Sequence, residues 1–209
     1  MILKTFTVDW QDTNCAKCPL SVNRLNVVKA TLGPVGGLLA VGEAPGAEED
    51  KCGKGFVGKS GDTLRSLLRL HGIQDSTVGL ANVCRCRPPQ NRPPRQVEVD
   101  TCTPFLAHLI AESRPKVVLA VGRTATTAFF GNGSLYKRIQ DGAASNDWTS
   151  ARCIAGKHPA IRAALETVSY VVPMPHTSPL AFRRLAPSGE AWGMIADRQM
   201  ALVNQLLHA

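Results

Sequence analysis

The sequence predicts an α/β fold, a three-layer sandwich in which a central, mainly parallel four-stranded sheet is flanked by helices. Short apolar runs typical of strands buried on both faces occur at 37–41, 116–122 and 170–173, and a shorter one lies around 78–80. Segments with helical periodicity separate these runs, and this alternation favours parallel strands with helices on both faces. At 209 residues the chain is long enough for one such domain, expected to span 1–209.

The helices are predicted from apolar spacing and from residues that end a helix. In the segment DTLRSLLRLHGI, the side chains of Leu64, Leu67 and Leu68 share one face, and Gly72 ends the helix. Further helices are predicted at 97–113, 123–131, 158–168 and 190–207. The segment 131–157 is rich in Gly, Ser, Asn and Lys, so loops and a weak hairpin are predicted there.

Charge and composition restrict the classes of function. The formal net charge of +8 favours an anionic partner such as nucleic acid. No apolar run is long enough to span a bilayer, and the first residues lack the pattern of a signal peptide. We therefore expect a cytoplasmic protein with no membrane partner. Its seven cysteines are then expected to be reduced, which favours a metal site over disulfides.

The stretch GKGFVGKS, residues 53–60, matches the phosphate-loop pattern, but its context argues against nucleotide binding. A phosphate loop leaves directly from a buried strand, whereas the polar segment AEEDKC precedes this one. The acids Glu48, Glu49 and Asp50 would also repel a triphosphate at short range. No nucleoside triphosphate partner is therefore expected.

The carboxyl ends of the predicted strands bring several polar loops to one crevice, which is where ligands bind in parallel sheets. These loops contain GEAPG at 42–46, Asn82 and its neighbours, the pair Gly122 and Arg123, and residues 176–178. We expect the chemistry of the protein to lie among them.

The cysteines supply a candidate metal site. Cys15 and Cys18 form a C-x-x-C pair, and Cys86 and Cys102 could complete a set of four thiolates. The spacing alone leaves zinc, an iron-sulfur cluster and a redox dithiol open. Cys84, two residues before Cys86, is an alternative ligand.

Taken in order, these segments resemble the family four uracil-DNA glycosylases, the iron-sulfur branch of the uracil-DNA glycosylase superfamily. The matching segments are C-x-x-C at 15–18, GEAPGAEEDKCGKGFVGKSGDTL at 42–64, NVCRCRPPQNRPP at 82–94, Cys102, KVVLAVGRTA at 116–125 and VVPMPHTSPL at 171–180. The resemblance implies a monomeric enzyme that binds an extrahelical pyrimidine of DNA, hydrolyses its N-glycosidic bond and leaves an abasic site. In this family the stretch G-x-x-F-V-G-x-x-G shapes the base pocket, which makes the phosphate-loop match accidental.

The resemblance also assigns roles to individual residues. His176 is expected to stabilise the departing base through an N–H donor, with His158 as the rival, and Glu43 to orient water or balance charge on the sugar. Base contacts are expected from Gly42, Ala44, Glu49, Phe56 and Asn82, with Glu49 at the C5 edge of the base. DNA contacts are expected from Arg85, Arg87, Arg92, Ser178 and Arg183. The family positions for ligands of a 4Fe-4S cluster, expected to tie the N-terminal segment to the domain, are Cys15, Cys18, Cys86 and Cys102.

Three departures from the family pattern bear on the substrate. The segment from Gly131 to Tyr170 is longer and less regular than the family's usual connection. Gly55 stands where the family has Pro before the pocket phenylalanine, and Thr177 stands where Pro follows the histidine. Glu49 and Asn82 favour uracil as the base. The departures leave two alternatives: a glycosylase for a bulky modified base in phage DNA, acting in antiphage defence, and an iron-sulfur DNA-binding module without catalysis.

Overall fold

The computed structural model describes residues 8–145, 147–149 and 158–209 and confirms the predicted α/β class. Its four-stranded sheet is entirely parallel, with the strand order β2-β1-β3-β4. The strands are β1 (Leu38–Gly42), β2 (Val78–Asn82), β3 (Val117–Val121) and β4 (Tyr170–Met174). Each follows one of the apolar runs, and β1, β3 and β4 are buried along almost their whole length.

Helices pack on both faces of this sheet. Along the described chain they are α1 (Ala47–Cys52), α2 (Lys59–Leu70), α3 (Gln96–Ser113), α4 (Gly122–Phe130), α5 (Leu135–Ser145), α6 (Pro159–Leu165), α7 (Pro179–Arg183) and α8 (Trp192–His208). In β1, Leu39 and Val41 belong to the core shared with α3, α4 and α6. Leu38 and Ala40 point to the other face and belong to the core shared with α2 and α8. None of the helices described is both long enough and apolar enough to cross a bilayer.

The structure corrects the prediction of loops and a weak hairpin after Gly131, because α5 occupies much of that segment. Its Ile139 is buried in a small core with Ile195 of α8, which compensates for the weak helical pattern of the sequence. Gly142 is needed in this helix because a Cβ there would lie 2.5 Å from the Trp148 ring. The part of the prediction that falls on 150–157 lies outside the described residues.

The segment that resembled a phosphate loop connects two helices. It follows α1, a helix that was not among those predicted from the sequence, and leads into α2 at Lys59. The preceding strand, β1, ends at Gly42, well before this segment. The direct passage from strand to phosphate loop is therefore not present here.

The N-terminal segment is fastened to the loops that surround the carboxyl end of the sheet. The backbone amides of Leu25 and Asn26 donate to Oδ1 of Asp50, at 3.0 and 3.1 Å, and Asp50 is buried on α1. The amide of Val28 donates to the carbonyl of Arg85 at 2.8 Å. These bonds connect the segment that follows the C-x-x-C pair to the loops around the crevice.

Candidate active site

A cleft of about 410 Å³ lies at the carboxyl ends of the strands, where the sequence analysis placed the crevice. Residues of five segments line it: the turn after β1 with the start of α1, the loop before α2, the loop after β2, the end of β3 and the turn after β4. The lining includes all the predicted base-contact residues, Gly42, Ala44, Glu49, Phe56 and Asn82, together with Glu43, Arg92 and His176.

His176 presents one ring nitrogen to the cleft and uses the other to bind its own loop. The backbone N–H of Ser178 donates to His176 Nδ1 at 3.1 Å. A neutral imidazole whose Nδ1 accepts a hydrogen bond carries its proton on Nε2, so the free nitrogen is a donor. Although the residue is exposed at the mouth of the cleft, desolvation on its protein side lowers the pKa of His176, and the nearby Glu43 carboxylate opposes this shift.

The rival histidine, His158, does not line this cleft. Its Nδ1 accepts from the amide of Ala160 at 3.2 Å, so its side chain caps the N-terminus of α6. It lies instead in a separate depression with Arg123 and Thr127. The geometry thus favours His176 over His158.

Glu43 is held by a residue that lies just beyond the neighbouring strand, β3. The Thr124 hydroxyl, in the first turn of α4, donates to Glu43 Oε2, and the Cys84 amide donates to the Glu43 carbonyl at 3.0 Å. The strand order explains the Thr124 contact, because β1 and β3 are neighbours and both end at the cleft. Thr124 does not line the cleft itself, but it is a partner of Glu43 that sequence reasoning missed, and its signal was its place three residues after a strand.

Gly42 brings the aromatic and amide walls of the cleft together. A Cβ on Gly42 would lie 2.5 Å from Asn82 Oδ1 and 3.0 Å from Phe56 Cζ. A side chain at this position would therefore displace both groups. The close approach explains the glycine at the last residue of β1.

Glu49 connects the turn after β1 with the loop before α2, both of which line the cleft. Its Oε2 accepts from the Gly46 amide at 3.0 Å and its Oε1 accepts from the Gly58 amide at 2.9 Å. Gly46 and Gly58 are the N-caps of α1 and α2, so one carboxylate stabilises the start of both helices. Both carboxylate oxygens already accept backbone hydrogen bonds. Replacing Glu49 would therefore also change the distance between the two loops, in addition to any direct contact with a base.

The arginines expected to contact DNA occupy different environments. Arg87 Nε donates to Asn91 Oδ1 at 2.7 Å, and Arg183 is exposed at the end of α7. Arg92 lines the cleft and donates two hydrogen bonds, of 2.8 and 2.6 Å, to the fully buried Glu98. This pairing lowers the pKa of the Glu98 carboxyl. Ser178 caps α7 by accepting from the Ala181 amide at 3.2 Å.

The position of Arg85 argues against its expected DNA contact. Its guanidinium stacks on the Phe105 ring, 4.4 Å from the centroid, and donates to the Asp12 carbonyl. These contacts turn the side chain toward the N-terminal segment. Arg85 therefore fastens that segment, and the basic side chains oriented for a phosphate are found elsewhere.

Five thiols, which we call the cysteine group, cluster where the N-terminal segment meets α3: Cys15, Cys18, Cys84, Cys86 and Cys102. The Cys84 thiol donates to Cys102, raising the pKa of Cys84 and lowering that of Cys102. The Arg85 amide also donates to Cys102 Sγ, at 3.3 Å, and Arg24 Nη1 donates to Cys86 Sγ at 3.3 Å. Burial raises the pKa of the Cys86 thiol to about 11. Within the described part of the chain, no three His, Cys, Asp or Glu side chains are grouped closely enough to hold a metal ion.

Known proteins match this chain over much of its length. Residues 33–196 match the family model of the uracil DNA glycosylase superfamily. The chain is 44% identical over 115 residues to a type-4 uracil-DNA glycosylase of Thermotoga maritima, covering 55% of this chain and 60% of that relative. It is 41% identical over 115 residues to the type-4 enzyme of Pyrobaculum aerophilum, covering 55% of this chain and 59% of that relative.

A type-5 uracil-DNA glycosylase of Pyrobaculum aerophilum is more distant, at 27% identity over 163 residues, covering 58% of this chain and 72% of that relative. The match to the two type-4 relatives spans less than two thirds of their length. These similarities confirm the resemblance inferred from the ordered motifs.

Proposed function

This chain belongs to the uracil DNA glycosylase superfamily, and from that premise we propose that it is a monofunctional glycosylase that removes uracil from DNA. One observation carries the proposal. The Ser178 amide occupies His176 Nδ1, which leaves Nε2–H as a donor in the same cleft as Phe56 and Asn82. An aromatic face, an amide and an imidazole donor are what a flipped pyrimidine requires.

The first step is capture of an extrahelical uracil. Phe56 offers a ring face for stacking, and the Asn82 amide offers a donor and an acceptor for the N3–H and O4 edge of the base. Gly42 leaves room for both groups close to the backbone. These residues bind and orient the base before the bond breaks.

Bond cleavage places negative charge on the departing base and positive charge on the sugar. The Nε2–H of a neutral His176 stabilises the base anion by donating to its oxygen, without first transferring a proton. The lowered pKa of His176 keeps the ring neutral at pH 7. Glu43, held by Thr124, places a negative carboxylate where it can balance the sugar and orient the attacking water.

We assign DNA binding to three arginines and a helix cap. Arg183 is exposed and Ser178 caps α7, and with Arg87 they are proposed to contact phosphates. Arg92 lines the cleft and is proposed to add positive charge there, although its guanidinium is bonded to Glu98. Arg85 is left out because it binds Phe105 and Asp12. The proposed partner is DNA with an extrahelical pyrimidine, and the proposed active form is the monomer that the family resemblance implies.

The cysteine group supports a 4Fe-4S cluster through the chemistry of its donors. The positive charge of Arg85 lies near Cys102, and its Nη1 is buried with no hydrogen-bond partner in the described chain, which suits a negatively charged cluster. Cys15, Cys18, Cys86 and Cys102 would hold it, with Cys84 as the alternative to Cys86. When bound, it would fix the N-terminal segment against the rest of the chain, which we propose to be a single domain over 1–209, and take no part in base release.

The test is base release from matched oligonucleotides that contain uracil, thymine or an enlarged 5-modified pyrimidine. Release of free uracil, with an alkali-labile site left in the DNA, is the expected result. Release of the enlarged base alone would favour the antiphage alternative. Binding without release of any base would favour the non-catalytic module.

A further inference from the structure

Phe56, the aromatic wall of the cleft, is held in an unusual backbone conformation. Its φ is 58°, in the left-handed region that residues with a side chain adopt only when their surroundings require it. The residue is nevertheless 8% exposed and packed into the core with α2. Some neighbouring group must therefore stabilise this conformation.

The carbonyl of Phe56 has two neighbours that fix it. A Cβ on Gly61 would lie 1.8 Å from this oxygen, so the carbonyl lies directly against the first turn of α2. One turn later on the same helix, Arg65 Nη1 donates to the Phe56 carbonyl. Gly61 provides the space for the carbonyl, and Arg65 provides the bond.

Arg65 is in turn oriented by Asp75. The Arg65 Nε lies 3.6 Å from Asp75 Oδ2, and the Arg65 side chain is 30% exposed. Asp75 lies in the turn that leads into β2. The contacts thus join three segments: the loop that carries Phe56, the helix α2 that carries Arg65, and the turn before β2 that carries Asp75.

Phe56 borders two clefts. One holds His176, and the other, of about 470 Å³, is also lined by Arg65 and Asp75. The second cleft offers space into which the segment that carries Phe56 can shift. The bond from Arg65 opposes that movement.

We propose that Arg65 is a positioning residue that holds Phe56 forward and thereby sets the size of base that the cleft admits. The proposal rests on the proposed glycosylase function. It makes Arg65 a determinant of selectivity that touches neither base nor sugar. Without the Arg65 bond, Phe56 moves toward the second cleft together with Gly58, whose amide binds Glu49 at the expected C5 edge of the base. The pocket then accepts pyrimidines with larger 5-substituents.

The matched control is Arg69, which pairs with the same carboxylate. Its Nη1 lies 3.6 Å from Asp75 Oδ2, and its side chain is 63% exposed. Arg69→Met removes a positive charge and an Asp75 contact but leaves the bond to Phe56 intact. Comparing it with Arg65→Met isolates the bond to Phe56.

The measured quantity is the ratio of kcat/KM for uracil to kcat/KM for 5-hydroxymethyluracil in the same oligonucleotide. Arg65→Met is expected to lower this ratio about tenfold, the scale on which pocket size discriminates small groups. Arg69→Met is expected to leave the ratio within about twofold of the unmodified protein. An unchanged ratio in Arg65→Met, or an equal fall in both variants, would overturn the proposal.

A second readout does not depend on activity. Amide hydrogen exchange of residues 54–58 should be faster in Arg65→Met than in Arg69→Met, and equal rates would overturn the positioning role. If the unmodified protein releases no base, the glycosylase proposal fails, while hydrogen exchange still tests Arg65. If Arg65→Met does not fold, Arg65→Gln, which is too short to make both contacts, is tested by the same two criteria.

Discussion

The cleft and the cysteine group hold their reactive atoms in different ways. In the cleft, backbone amides and a hydroxyl bind the imidazole and the carboxylates, as in the Ser178 bond to His176 and the Thr124 bond to Glu43. In the cysteine group, thiols contact one another and two arginines, and burial raises the pKa of Cys18 and of Cys86. We infer that the fold itself positions the cleft, whereas the thiols depend on a bound metal. Changes in the cleft should therefore reduce rate, and changes in the cysteine group should reduce stability.

The largest effect on rate is expected from His176→Ala. Removing a donor to the departing base should lower the single-turnover rate by about 10²-fold to 10³-fold, as for other donors to a developing anion. The melting temperature should change little, because His176 is exposed. His158→Ala serves as the control and should retain the rate. An equal loss of rate in His176→Ala and His158→Ala would show that His176 has no specific role in base release.

The largest effect on stability is expected from Cys86→Ser. Losing one ligand should release the iron and lower the free energy of unfolding by at least about 3 kcal/mol, since metal binding is coupled to folding. For a chain of this length, that corresponds to a melting temperature lower by roughly 10 °C. Iron content and thermal unfolding are compared with Cys84→Ser. If Cys84→Ser loses iron and Cys86→Ser keeps it, Cys84 is the ligand and Cys86 is not.

The pH dependence of base release should follow His176. Desolvation places its pKa below the ordinary value of 6.5, so the neutral donor dominates above that pH and the rate is constant there. Below pH 6.5 the rate should fall as the ring gains a proton. Because the folded pKa is lowered, protonation favours the unfolded state, and this contribution to stability is also lost as the pH falls. If kcat/KM of His176→Gln still falls at low pH, the fall is caused by another titrating group.

A smaller effect is expected from Thr124→Val. The valine keeps the shape but loses the hydroxyl that donates to Glu43, so the rate should fall about tenfold, the scale of one hydrogen bond. Thr124→Ser should restore the rate because it retains the donor. Thr127→Val, on the same helix, is the control for general effects on α4. A rate in Thr124→Val equal to that of the unmodified protein would show that Glu43 does not depend on this bond.

Local patterns in the sequence were enough to predict the sheet, but features that depend on distant contacts were missed. Uninterrupted apolar runs predicted β1 and β3, because both strands are buried on both faces. The helix α5 was missed because its weak pattern is stabilised by contacts with α8. Local sequence did not reveal these contacts.

In the candidate site, too, some residues could be predicted from local sequence and others depend on distant contacts. His176 was predicted as a site residue because it follows a strand in an ordered set of motifs, and the structure places it in the cleft. The role of Thr124 depends on β1 and β3 being neighbours, and the bond to the Phe56 carbonyl comes from Arg65, nine residues away. The contact of Arg85 with Phe105 likewise follows from packing and not from the run of basic residues in which it lies.

The central claim is that the fold prepares a neutral imidazole with its N–H directed into the cleft. Nitrogen NMR of ¹⁵N-histidine-labelled protein at pH 7, with the His176 signals assigned by their loss in His176→Gln, tests it most directly. We predict a neutral ring with the proton on Nε2, since the Ser178 amide occupies Nδ1. A ring protonated on Nδ1, or an imidazolium at pH 7, would contradict the account.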